Sequence, residues 1–403
     1  MVFPVVAYYL TAEEFGLVAN FLVLTQIFAK LVGLNTITAL SVDYYKTEKK
    51  EEESHLMSNL GYLNFSLFLI VLCGIIIFNK RIELWTGIGL FWQILASLLV
   101  LSMVIDQLFT TRLRLQEKAK FFGTYKVLKS VFSGLLTILF VAVFLWSWEG
   151  KIYSQVVFGF MAGIIGFALL YRDGLFFHKP DGKAIRGFFF FGLPLLPHNL
   201  SYWLKSGFER IFITRSEGLS ETGVYAFAAN VNAIFVLVSR SFFNAFNPYL
   251  FKKLTAIEKE PFNDKKIKKS LVKKTYLFLA FMAVVLFVGY FAGKFLVNLF
   301  FQEKFGGSVS LLPYLLAFNF THAVYGVFSP YIFFTKKTRI LGLLTFITGM
   351  LQALLTVVLV SKFGTIGAAY ATFLVGVITA TSVALYSNYV YPMPWLYFLT
   401  PNK

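Results

Sequence analysis

Long apolar runs recur along this chain, and short polar segments separate them. The runs are 15–42, 57–79, 84–111, 121–147, 152–171, 187–214, 221–251, 270–300, 308–334, 339–361 and 364–391. Each reaches the ~20 residues at which a helix crosses a hydrocarbon core. The pattern predicts an all-α, polytopic membrane protein with about 11 full spans. Met1–Leu10 is apolar too, but ten residues rise only about 15 Å as a helix. It lacks the basic lead-in of a signal peptide. It reads as the tail of a span whose first half is missing.

The polar segments contain a repeat. Leu10-Thr11-Ala12-Glu13-Glu14-Phe15-Gly16 opens one apolar run, and Leu219-Ser220-Glu221-Thr222-Gly223-Val224-Tyr225-Ala226 opens another halfway along. Both are polar, acidic turns with a glycine just before a membrane-length run. The two glycines lie 207 residues apart in a chain of 403. That spacing predicts two pseudo-symmetric helical bundles around a central cavity, over 1–180 and 181–403, as in many secondary transporters.

Composition agrees. The chain is 58% hydrophobic and 14% charged, more apolar surface than a soluble protein of this length can hide. The 49 Phe residues read as lipid-facing drift among Phe, Leu and Ile. The net charge of +17 would suggest nucleic acid in a soluble protein, but here its distribution marks topology. Alternate loops hold 25 Lys and Arg on one side and 6 on the other. The positive-inside rule makes the first side the cytoplasmic face of a multi-pass membrane protein, without nucleic-acid partners. Trp85, Trp146 and Trp148 fall at expected outer helix ends, where indoles anchor. The basic stretch 252–274 is either an interfacial segment on anionic lipid or a solvated loop.

Enzymatic and metal signatures are missing. Lone Cys73 has no disulfide partner, and His55, His178, His198 and His322 lack ligand spacing. There is no phosphate-binding GxxxxGK[ST] loop, no GxSxG and no HExxH. No catalytic residue, metal site or cofactor is expected.

Beyond the 31 basic residues assigned to loops and span ends, six of the 37 remain: Lys30, Lys129, Lys205, Arg210, Arg240 and Lys294. A charge at the bilayer centre costs about 2.5–3.5 kcal/mol on insertion scales, so each needs a reason. Lys129 and Lys294 are close enough to span ends to snorkel. Lys30 lies near the middle of 15–42, with Gln26 one turn before it. It either faces a wet cavity or pairs with a carboxylate such as Asp106. Arg240 is similarly deep in 221–251, near Asn232, Asn244 and Asn247. Lys205 and Glu209 are spaced to pair on a helix. Alternatively Glu209 exchanges a proton or Na⁺ while Lys205 or Arg210 meets a substrate anion. Asp106 is the only acid within the first bundle's spans and the second ion-coupling candidate. The expected anion site comprises Lys30, Arg240, Lys205, Arg210, Gln26 and Trp203. Pro194 and Pro197 interrupt one span, and Pro248, Pro313 and Pro330 interrupt others. Gly159 with Gly163, and Gly289 with Gly293, permit close helix packing.

Two stretches resemble the polysaccharide-export branch of the multidrug/oligosaccharidyl-lipid/polysaccharide flippase superfamily, the Wzx-type O-antigen and capsule flippases. The first is Tyr9-Leu10-Thr11-Ala12-Glu13-Glu14-Phe15-Gly16, followed by Leu34-Asn35-Thr36 and Tyr44-Tyr45. The second runs from Leu193-Pro194 to Glu209-Arg210-Ile211, then Gly218 and Gly223-Val224-Tyr225-Ala226. Glu209 stands where Asp is usual, and Ser41-Val42-Asp43 stands where relatives often carry Arg. The resemblance implies twelve spans in two bundles, the first largely missing here. It implies translocation of an undecaprenyl-pyrophosphate-linked oligosaccharide by alternating access, driven by H⁺, Na⁺ or membrane potential. Membrane lipids and polysaccharide polymerases are the implied partners. Within the same fold, a drug/cation antiporter or a peptidoglycan-precursor flippase are alternatives. The deep cations outnumber Asp106 and Glu209, which disfavours cationic drugs. A glycan polymerase or ligase would want a large external loop, and the outer connections here are short.

Overall fold

The computed structural model describes residues 2–176, 178–259 and 264–396. Every regular element among them is helical. Two compact units emerge, Met1–Gly223 and Val224–Lys403. Packing places 182–217 in the first unit, whereas the division into 1–180 and 181–403 follows the internal repeat.

The first unit holds α1 (Phe3–Tyr9), α2 (Ala12–Gly33), α3 (Thr36–Asp43), α4 (Lys50–Thr86), α5 (Leu90–Leu115), α6 (Ala119–Ile138) and α7 (Ser147–Arg172). Then come α8 (Gly182–Gly192), α9 (Leu196–Ser206), α10 (Phe208–Glu217) and the first turn of α11 (Leu219–Lys259). The second unit holds the rest of α11, then α12 (Asp264–Phe300), α13 (Gln302–Phe305), α14 (Ser308–Phe334), α15 (Thr338–Phe363) and α16 (Thr365–Val390). Ten helices among the described residues are long and apolar enough to span a membrane. The remaining predicted span, 187–214, is built from three short helices in series. The ten spanning helices expose large apolar side chains; Ile77 of α4, Ile164 of α7 and Leu385 of α16 are about two-thirds exposed or more, as lipid contact requires.

The repeated turns have a physical role. Thr11 caps α2 reciprocally with Glu14: the Glu14 N–H donates to Thr11 Oγ1 at 3.2 Å, and the Thr11 N–H donates to Glu14 Oε2 at 2.8 Å. One turn later Gly16 meets the start of α11. A Cβ on Gly16 would collide with the Leu219 carbonyl, and one on Gly223 would collide with the Ala12 carbonyl. The two glycines of the repeat thus pack on each other, which their sequence separation alone could not show. Buried Asn20 extends the junction, donating to the Thr86 carbonyl at 2.8 Å and to Thr214 Oγ1 at 2.6 Å.

Two predicted spans break where they meet. The run 15–42 is not one helix, because Leu34 and Asn35 both adopt left-handed backbone between α2 and α3. Asn tolerates that region; Leu does so only when its surroundings enforce it. The enforcing neighbour is the second break, between α8 and α9, with Pro194 in the link and Pro197 in the first turn of α9. Gly192 packs against the Leu34 carbonyl so tightly that no side chain would fit. The Asn199 amide donates to Asn35 Oδ1 at 2.7 Å. By contrast, α11 and α14 run straight through Pro248, Pro313 and Pro330, so these prolines do not interrupt their spans.

α7 lies on α5 through its glycines. A Cβ on Gly159 would strike Leu99, and one on Gly163 would strike Ser102. At the opposite end from the capped turn, buried Arg112 donates Nε–H to Glu53 and Nη1–H to Asp173, both at 2.6 Å, tying α5 to α4 and to the end of α7. In the second unit, α14 packs on α12 and α16. Buried Asn319 donates to Asn232 Oδ1 at 3.0 Å, so Asn232 holds helices together.

Gly16→Val should destabilise the first unit by roughly 1–3 kcal/mol, the cost of overpacking. Gly123→Ala, at a site with open space around it, should cost nothing. Thermal-shift size-exclusion chromatography of the two variants reads the difference.

Candidate functional site

A cavity of about 570 Å³ lies within the first unit, between α2, α5, α6, α7 and α9. Four of the expected site residues line it, Gln26, Lys30, Asp106 and Trp203, and so does Lys129, noted from sequence as a deep cation. Their placement follows from the helix breaks. Because α2 stops at Gly33, Lys30 sits in its last turn, not mid-helix. The partial negative charge of a helix C-terminus favours a cation there. Lys30 and Gln26 are exposed along the cavity side of α2.

Trp203 is positioned from α9. Its indole N–H donates to the Val23 carbonyl of α2 at 3.2 Å. Gly207 makes room, because a Cβ there would press on Trp203 Nε1 and on Val23. With Tyr202 and Phe158, Trp203 gives the cavity three aromatic faces.

Asp106 does not pair with Lys30. It is 3% exposed, and its carboxylate accepts from Lys129 Nζ at 2.5 Å and from Tyr125 Oη–H at 2.6 Å. Lys129 therefore has a carboxylate partner and lines the cavity, where snorkelling had been expected. Gly166 of α7 lies against the α5 backbone at Asp106, and the carboxylate meets its partners on α6. The pattern was present in the sequence. Tyr125, Lys129 and Ser133 recur every four residues on one face of α6. Gln155 also lines the cavity, and its Oε1 is buried without a hydrogen-bond partner. Lys129 stands out in the sequence as a deep cation, but its partner does not, and Gln155 does not stand out without knowing which helices enclose Asp106.

The other expected site residues lie elsewhere. Lys205 is half-buried at the end of α9, Glu209 is buried in α10, and Arg210 is half-buried beside it. Gly207 interrupts the helix between Lys205 and Glu209. None of the three lines this cavity. Arg240 is exposed on α11 in the second unit. That unit holds its own cavity of about 910 Å³ between α12, α14 and α16, with largely apolar walls and without Arg240. Among the described residues, no group of three His, Cys, Asp or Glu side chains is placed to hold a metal ion.

The first-unit cavity thus carries two cations and one carboxylate with amides, hydroxyls and aromatic faces. That combination suits an anion bearing a polar, ring-containing group.

The family described as polysaccharide biosynthesis protein matches residues 1–254. The chain belongs to this family. A curated relative, protein 1 of the Lsg locus of Haemophilus influenzae, is 22% identical over 260 residues. The match covers 63% of this chain and 62% of that protein, less than two-thirds of its length. Among solved structures, an inward-facing multidrug resistance MATE family transporter of the MOP superfamily has a TM-score of 0.76 at 14% identity. It covers 96% of this chain and 94% of that one. Lipid II flippase MurJ, in an inward closed conformation, has a TM-score of 0.65 at 15% identity, with coverage of 98% and 89%. A MOP superfamily transporter from Pyrococcus furiosus has a TM-score of 0.51 at 14% identity, with coverage of 93% and 85%. The fold of this family member is that of the MOP transporters, and it is a multi-pass membrane protein.

Trp203→Phe removes the bond to the Val23 carbonyl, worth about 0.5–1.5 kcal/mol net, together with part of the ring volume, while keeping an aromatic face. Trp203→Ala also removes the aromatic wall and should cost more. Thermal unfolding of both in detergent measures the step between them.

Proposed function

We propose that this protein is a flippase of the cell inner membrane that carries an undecaprenyl-pyrophosphate-linked oligosaccharide to the outer leaflet for surface polysaccharide assembly. The observation that supports this reading is the first-unit cavity, where Lys30 and Lys129 outnumber the single acid Asp106 among the lining residues. A diphosphate cannot enter hydrocarbon without replacing its water and counterions. Lys30 supplies a cation and Gln26 an amide for that purpose, while Trp203, Tyr202 and Phe158 offer faces for sugar rings. Membership of the polysaccharide biosynthesis family supports the glycan, and the fold shared with a lipid II flippase supports a lipid-linked cargo.

In this reading no covalent bond changes, so the protein is not an enzyme. An ion gradient or membrane potential drives alternating access, with Asp106 and Glu209 as candidate ion-coupling carboxylates. Lys205 and Arg210, on the turns after Trp203, and Arg240 on the second unit are further anion-binding candidates. Polysaccharide polymerases are the expected partners. A drug antiporter of the same fold would want an acidic cavity. The Pyrococcus furiosus transporter is itself described by a reversed polarity of its binding pocket that suggests a different function, so pocket charge is a sensible discriminator within this fold.

Lys30→Ala and Arg240→Ala should each abolish surface glycan while leaving membrane abundance unchanged. Immunoblots of membranes alongside glycan staining test this; normal surface glycan in both variants would sink the anion-site reading. Asp106→Asn or Glu209→Gln should alter the pH or Na⁺ dependence of transport in proteoliposomes. Unchanged dependence in both removes the coupling role.

A further inference from the structure

We propose that Asp106 is a built-in competitor for the substrate: it pairs with Lys129, and a multiply charged anion displaces it. This rests on the reading of the cavity as an anion site. It adds Lys129 as a binding residue and makes Asp106 the residue that selects for anionic charge.

The geometry has the form such an exchange needs. Lys129 bridges two environments. Its ammonium meets the Asp106 carboxylate at 2.5 Å, yet its side chain is 23% exposed while that of Asp106 is 4% exposed. The cation is therefore the accessible member of the pair, and the carboxylate lies behind it. Lys129 Nζ also lies 5.5 Å from the centre of the Phe158 ring, a second cavity-lining group that can hold the ammonium while it reorients. Gln155, with its orphaned buried Oε1, offers another acceptor in the same wall.

Release of Lys129 would ordinarily strand a buried carboxylate, which is expensive. Tyr125 limits that cost. Its hydroxyl donates to the other carboxylate oxygen, Oδ1, at 2.6 Å, and this bond survives the departure of Lys129. Both donors to Asp106 come from α6; α7 presents Gly166 to its backbone, and Lys30 of α2 is the other cation on the cavity.

Charge decides the outcome of the exchange. A neutral sugar brings nothing that outcompetes a carboxylate for an ammonium. A monophosphate brings little more charge than the carboxylate it must displace. A diphosphate carries more charge and more acceptor oxygens, and Lys30 lines the same cavity as a second cation for it. The pair thus sets a threshold. Weakly anionic lipids leave it closed, and diphosphate lipids open it. Discrimination by an opposing interaction, and not only by an attractive one, is a general route to specificity.

The test uses the full-length protein in detergent and two probes, a polyprenyl diphosphate and the matching polyprenyl monophosphate, with affinities read by native mass spectrometry. Wild type should prefer the diphosphate. Asp106→Asn frees Lys129 and should tighten monophosphate binding by about tenfold or more, the scale of close charge pairs, with a smaller gain for the diphosphate, so that selectivity narrows. Lys129→Gln should weaken diphosphate binding and leave monophosphate binding almost unchanged. Tyr125→Phe leaves every cavity-lining group in place, and should weaken diphosphate binding through the stranded carboxylate. That last effect should vanish in the Asp106→Asn background, which a merely structural tyrosine would not do. Unchanged selectivity in Asp106→Asn, with wild type binding the diphosphate, overturns the exchange and leaves the anion site standing. Absence of diphosphate binding to wild type overturns both.

Discussion

The first unit depends on two helices being interrupted at the same place. Backbone groups released by a break inside a membrane must find partners, because lipid offers none. Here each break serves the other. Leu34 and Asn35 leave the helical region, and Asn35 is held by Asn199 and by the close approach of Gly192. The second chain can come that close only because Gly192 has no side chain. Left-handed backbone at Leu34 is a local cost that the surrounding contacts enforce. Once α2 ends there, Lys30 becomes a helix-terminal cation, and α9 can reach back so that Trp203 bonds to Val23.

Charge is then distributed with economy. The cavity walls are mostly apolar, so every ionised group in them requires a partner or access to water. Asp106 has one donor for each carboxylate oxygen, Tyr125 and Lys129, stacked one turn apart on one face of α6. Lys30 has the end of its own helix and the cavity. At the far end of α5, Arg112 joins Glu53 and Asp173, so the same helix is pinned by an ion pair inside and by an ion triad at its end. The second unit shows the contrast: its large cavity is lined by Phe, Leu and Val with few polar groups, and its buried Asn232 is spent on Asn319.

The repeat glycines connect the two levels. Gly16 and Gly223 were visible as a duplicated turn, and each precedes a long helix. Their structural reason is different from a turn. Both lie inside helices, and each allows a backbone carbonyl of the other segment to approach closer than any side chain permits. The acidic residues before Gly16 belong to a helix cap, with Glu14 closing on Thr11.

Hydropathy is a one-dimensional property, and what depends on it alone was decided by the sequence: helical class, membrane spans, the repeat and the scarcity of buried charge. Asp106, Lys30, Gln26 and Trp203 could be picked out because a polar group in an apolar run always requires an explanation. Who partners whom was a different matter. Lys129 was close enough to a span end to need no partner, and Lys30 was a plausible mate for Asp106. The packing of α5, α6 and α7 sets Asp106 against Lys129 and Tyr125 of α6 and leaves Lys30 to the cavity, the other of its two readings. Likewise the two helix breaks depend on contacts between residues some 160 positions apart, and no local preference of Leu34 announces them. Pairing of charges and the stopping of helices are settled by which surfaces meet, and that is information only the tertiary structure contains.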